Sequence, residues 1–185
     1  MAALSRAGYA ARVSRLRLVA ARVRTRGRVR AGTGVRLGRA ARFAIERGGT
    51  VVLEDGCVIG DRARFDVAGG RVRIGRGARI GDGFIVVAHE HVEVGERVVA
   101  GDDVVLQDVA RVVRDPERPI REQGLVTGRV VVGPDAMLGA RAVVERGVTI
   151  GAGATVEAGS VVARDVPPAA TVVGVPARIQ RAARR

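Results

Sequence analysis

An aliphatic residue returns every six positions along much of the chain. The cleanest run is Val132, Leu138, Val144, Ile150, Val156 and Val162, with Gly133, Gly139 and Gly151 directly after three of them. A six-residue period matches neither the 3.6-residue turn of a helix nor the alternation of a hairpin strand. It predicts a prism-shaped coil, with one short strand and one corner per hexapeptide and three hexapeptides per turn. The aliphatic side chains then point inward and stack on the coils above and below, about 4.8 Å apart.

The same motif runs upstream with insertions. Leu53, Ile59 and Phe65 are six apart, as are Ile74, Ile80 and Val86, and then Val94, Ala100 and Leu106. The jumps between these groups hold Gly69-Gly70 and His89-Glu90-His91, and Gly48-Gly49 occupies the same slot before Leu53. Paired glycines suit a corner that needs positive φ, so the rod should have enlarged corners along one edge. Between Leu106 and Val130 the period is lost. That stretch is charged, contains Pro116 and Pro119, and is long for a structureless connection. It predicts a protruding loop over 107–129.

Residues 4–24 read as a basic amphipathic helix, since Tyr9, Val13, Leu16, Ala20 and Val23 form one stripe at steps of three and four. Such a helix can close the open first coil, which every solenoid must do, or rest on an anionic membrane face. The expected organisation is a basic helix over 1–27, a β-helix over 28–166 and a C-terminal tail over 167–185. The fold class is all-β.

Composition sharpens this reading. Hydrophobic residues make up 47% but aromatics only 2%, so the core must be built from aliphatic side chains. No apolar run is long enough for a transmembrane helix. The single Cys57 cannot form an internal disulfide, which fits a reducing, cytoplasmic setting. The net charge of +13 points to nucleic acid until it is divided along the chain. Residues 1–30 carry nine Arg and no acid, residues 175–185 carry four more Arg, and the stretch between is neutral. With one aromatic in the basic N-terminal segment and no recognisable module, nucleic-acid binding is not expected.

The segment GVTIGAGATVEAGSVVARDVPPAATVVGVPARIQR, residues 147–181, resembles the closing segment of the left-handed β-helix, hexapeptide-repeat acyltransferases. DPERPIREQG, residues 115–124, is similar to the loop of the sugar and exopolysaccharide O-acetyltransferase branch. The resemblance spans roughly residues 28–185. It implies left-handed coils, a homotrimer with clefts between subunits, and transfer of an acyl group, usually acetyl, from acyl-CoA to a hydroxyl or amine. The implied acceptor is a hydroxyl of a sugar or polysaccharide precursor, with no metal required. It also implies cofactor-binding positions at Ala140, Ala158, Ala163, Arg164, Arg178 and Arg181. There, small side chains admit the pantetheine arm and guanidinium groups suit phosphates.

In that family the base is a His just before the loop, in a stretch like Asp-x-x-His. Here the stretch is Gln107-Asp108-Val109-Ala110-Arg111, with Arg111 at the His position. A guanidinium stays protonated and cannot accept the acceptor's proton. The only histidines, His89 and His91, fill the enlarged-corner slot. His89 falls where relatives place a polar residue against the acceptor, so it is the candidate catalytic group. Two His at i and i+2 do not make the three-His zinc site of the related γ-class carbonic anhydrases, so no metal is expected. The alternative function is a catalytically depleted trimeric β-helix that binds a ligand or partner protein without turnover.

Overall fold

A computed structural model describes residues 25–46 and 48–181. The expected basic helix over 4–24 lies outside the described residues. From Val29 onward the chain winds into six three-stranded coils. Coil 1 is β1 (Val29–Ala31), β2 (Arg36–Leu37) and β3 (Arg42–Ile45); coil 2 is β4 (Thr50–Leu53), β5 (Val58–Ile59) and β6 (Arg64–Val67). Coil 3 is β7 (Arg71–Ile74), β8 (Arg79–Ile80) and β9 (Ile85–Ala88). Coil 4 is β10 (His91–Val94), β11 (Val99–Ala100) and β12 (Val105–Gln107). An arm then leaves the rod as β13 (Val109–Arg111) and β14 (Leu125–Thr127). Coil 5 is β15 (Val130–Val132), β16 (Met137–Leu138) and β17 (Val143–Val144); coil 6 is β18 (Thr149–Ile150), β19 (Thr155–Val156) and β20 (Val161–Val162).

First, second and third strands of successive coils pair in parallel, making three faces, A, B and C. The result is a left-handed parallel β-helix of about six turns. The chain does not stop there as a plain tail. β21 (Thr171–Gly174) adds in parallel beside β19, and β22 (Ala177–Arg181) folds back antiparallel on it. This hairpin extends face B and closes that end.

All fifteen residues of the six-residue pattern, from Leu53 to Val162, are buried. A second inward column, two residues earlier on each strand, holds Val51, Cys57, Ala63, Ala78, Val98, Ala136 and Ala154 among others. Side chains alternate across a strand, so i and i−2 share the interior. The coils also shorten along the chain. Pairing partners are 22 residues apart between coils 1 and 2 (Val29 with Val51), 21 between Val51 and Val72, and 20 between Val72 and Val92. Between coils 5 and 6 the step is 18, Val131 with Thr149. The three phenylalanines all lie in the longer coils. Phe43 stacks on Phe65 at 4.8 Å between centroids, and Phe84 meets Phe65 edge-on at 6.2 Å. Cys57 is fully buried, and burial pushes its thiol up to about 12, so it is a core group rather than a nucleophile.

The arm is an ordered ribbon rather than an irregular loop. β13 and β14 pair antiparallel, Val109 with Thr127 and Arg111 with Leu125. Gln123 organises the tip: its amide nitrogen donates to the Asp115 and Arg118 carbonyls at 2.7 and 2.8 Å. Its amide oxygen accepts from the Arg114 and Asp115 N–H groups. Val113, Ile120 and Leu125 remain exposed along it.

Candidate functional site

Three edges join the faces. The edge between faces C and A carries the enlarged corners Gly48-Gly49, Gly69-Gly70 and His89-Glu90, then the arm, and below it the plain corners Arg146-Gly147 and Ala163–Asp165. It is therefore the edge at which the chain repeatedly departs from the minimal hexapeptide.

Asp108 anchors it. This residue is 0% exposed, and with Ser160 it is one of two buried polar residues among those described. One carboxylate oxygen accepts the His89 N–H at 2.7 Å, and the other accepts the Glu90 and His91 N–H groups at 2.7 Å each. Its own N–H donates to the Val87 carbonyl, and its carbonyl accepts from Gly128 N–H at 2.8 Å. One side chain thus clamps the histidine corner above while its backbone closes the arm's root below. Sequence reading placed Asp108 inside the Asp-x-x-His stretch and missed this role. The available signal was an acid at the point where the hexapeptide period breaks.

The two histidines differ. The His89 imidazole, half-buried on the corner, has no hydrogen-bond partner among the described residues. His91 opens β10 on face A, and its Nε2 lies 3.3 Å from a Glu93 carboxylate oxygen. Arg73, one coil earlier, donates from Nη1 to the other Glu93 oxygen at 2.5 Å and from Nε to Glu54 at 2.9 Å. The chain Glu54–Arg73–Glu93–His91 therefore crosses three coils on the outside of face A. Burial pushes the Glu93 carboxyl up, but hydrogen bonds from His91 and Arg73 outweigh it and hold the group below its ordinary range. This network was also missed. Its signal was opposite charges recurring at coil spacing, 19 and 20 residues apart.

The remaining expected positions fall in three places. Arg111 ends β13 and is exposed on the arm above the Asp108 corner. Ala163 and Arg164 are exposed on the same edge in coil 6. Ala140 and Ala158 lie on the edge between faces B and C, one coil apart. Higher on that edge a carboxylate ladder runs through Arg39 N–H to Asp61, Asp61 N–H to Asp82 and Asp82 N–H to Asp102, each 2.8 Å. Ala140 and Ala158 are where this ladder ends, leaving methyl groups and backbone. Arg178 faces Val173 and Arg181 pairs with Thr171 in the closing hairpin. One chain does not bring these six positions together. Among the described residues, no three His, Cys, Asp or Glu side chains converge as a metal cage, and no helix is long and apolar enough to cross a membrane.

Residues 129–164, spanning coils 5 and 6, match the hexapeptide repeat of succinyl-transferase. The chain is 30% identical over 168 residues to the probable acetyltransferase Rv3034c of Mycobacterium tuberculosis, covering 91% of this chain and 54% of that protein. It thus spans about half the length of the curated relative it matches. Its repeat region is similar to that of hexapeptide-repeat transferases. The fold of this hexapeptide-repeat chain is shared by a mutant of AntD, an N-acyltransferase from Bacillus cereus, solved with dTDP-4-amino-4,6-dideoxyglucose and coenzyme A. Their TM-score is 0.71 at 20% identity, over 84% of this chain and 83% of that one. A hexapeptide-repeat acetyltransferase from Vibrio cholerae, VCA0836, solved with acetyl coenzyme A, gives a TM-score of 0.64 at 25% identity, over 75% and 72%.

Proposed function

We propose that the protein is an acyl-CoA-dependent O-acyltransferase, moving an acetyl or related acyl group to a hydroxyl of a sugar or polysaccharide precursor. The observation that carries this reading is the C–A edge. There an ordered arm, a clamped pair of histidines and an exposed Arg164 share one side of a hexapeptide-repeat rod. Relatives of the same fold have been solved with coenzyme A, acetyl coenzyme A and a sugar nucleotide, which supports both the donor and the acceptor class. The acyl-CoA would lie along coils 5 and 6 beside Ala140 and Ala158, whose small side chains admit the pantetheine arm. Arg164, Arg178 and Arg181 would take its phosphates.

The working unit is a homotrimer. Its support is the separation of the two halves of the site onto different edges of one chain. A neighbour's B–C edge set against this chain's C–A edge would reunite them. Outward-facing Ile85, Val105, Val143 and Val161 on face C, and the exposed apolar residues of the arm, supply surface for that packing. The basic segment 4–24 would hold the trimer peripherally at the inner face of the membrane, with the rod in the cytoplasm.

Arg111 at the family's base position favours a second reading, a trimer that binds ligand without turnover. Acetyl-CoA binding by calorimetry, with release of the CoA thiol followed across sugar acceptors, separates the two. Acceptor-dependent thiol release is expected. Binding without release establishes the depleted reading, and absence of binding overturns both the donor and the reaction.

A further inference from the structure

We infer that His91, oriented by Glu93, is the general base of the proposed transfer. This rests on the acyltransferase reading above and adds a residue which neither the arm motif nor the corner position singles out.

Three groups near the arm could face an acceptor hydroxyl. Arg111 cannot take a proton. His89 has a clamped backbone but no group to orient its ring among the described residues. His91 has both. Its N–H is bound to the buried Asp108 carboxylate, and its imidazole meets Glu93 at 3.3 Å. A carboxylate only accepts hydrogen bonds, so in the neutral imidazole this contact puts the proton on Nε2 and leaves Nδ1 as the lone-pair nitrogen. Glu93 is itself held in place, because Arg73 binds its second oxygen while gripping Glu54 on the other side. A base held by a fixed acid is the arrangement that activates hydroxyl nucleophiles generally.

The step balances without any further reagent. The acceptor O–H gives its proton to His91 Nδ1 as its oxygen attacks the thioester carbonyl carbon. Collapse of the tetrahedral intermediate breaks the C–S bond, and the His91 imidazolium returns the proton to the departing CoA sulfur. Glu93 stabilises the imidazolium between the two transfers. Other charges set against His91 are Arg71, its register partner on β7, Arg73 beside it, Arg129 just ahead of β15, and Glu90 and Asp108 at the corner. Face A thus surrounds the imidazole with both signs, and Glu93 is the acid in direct contact with its ring.

The test uses the full chain and its two histidines. His91→Gln should lower kcat by about 10²–10⁴ with acetyl-CoA affinity and Tm unchanged, and added imidazole should restore turnover to His91→Gly. Glu93→Gln should lower kcat, with acetyl-CoA affinity unchanged. Independently of turnover, 15N histidine spectra assigned with a His89→Gln variant should show His91 as the Nε2–H tautomer, a preference lost in Glu93→Gln. An Nδ1–H tautomer, or wild-type kcat in His91→Gln, overturns the assignment. So does acetyl-CoA binding with no transfer to any hydroxyl. Loss of acetyl-CoA binding in the unmodified chain instead overturns the transferase reading itself.

Discussion

Asp108→Ala is expected to be the most damaging single change in the rod that removes no apolar surface. The carboxylate is fully buried and accepts three backbone N–H groups. Charge-assisted bonds of this kind exceed neutral ones in strength. Removing the acceptor leaves three part-buried N–H donors without their partner, each costing up to about 1–3 kcal/mol. The sum approaches the lower end of the roughly 5–15 kcal/mol that holds a domain together. Neighbouring coils stabilise one another only by contact, so the damage should centre on the two ends of coil 4, where the histidine corner enters it and the arm leaves it. Urea melts should show a loss of several kcal/mol, and hydrogen exchange should rise first at residues 87–91 and 128. Asp108→Asn should fall between, because its amide nitrogen would oppose an N–H donor. A loss below about 1 kcal/mol for Asp108→Ala would mean that the clamp is not what holds the corner.

Gly81→Val carries the second large effect, and its cause is stacking. A Cβ at Gly81 would lie 2.5 Å from the Gly101 backbone of the next coil, a distance that forces the coils apart. Overpacking costs about 1–3 kcal/mol where side chains can yield, and here the obstacle is backbone. Gly56 serves a different need: its φ is +67, and nothing lies within 4 Å of where its Cβ would be. Gly56→Ala should therefore cost only the left-handed penalty of about 1–2 kcal/mol. Arg62, Arg97 and Asp103 already accept that conformation at other corners, with φ of 58, 55 and 55. Thermal melts ranking Gly81→Val well below Gly56→Ala in stability would confirm the distinction. Equal losses would show that both glycines serve only backbone conformation.

The coil was legible because its constraint repeats. Every inward residue of the six-residue series must pack on the same position one turn away, so Leu53, Ile74 and Val94 carry the pattern in the open. The enlarged edge was legible as well, from Gly48-Gly49 and Gly69-Gly70. The site was less so, because its interactions cross coils at spacings that vary from 17 to 20 residues and follow no fixed period. Asp108 meets His89, Glu90 and His91 only once the 20-residue coil is wound, and Arg73 finds Glu54 and Glu93 for the same reason. The arm's ribbon was hidden too. Its strands are three residues each, and its tip is tied by the single side chain of Gln123.

A crystal of the full chain soaked with acetyl-CoA tests the central claim most directly. The account predicts the pantetheine arm along Ala140 and Ala158, with the thioester directed to the arm's root and the histidine corner of an adjoining subunit. Electron density for acetyl-CoA elsewhere on the rod, or a thioester remote from both His89 and His91, would contradict it.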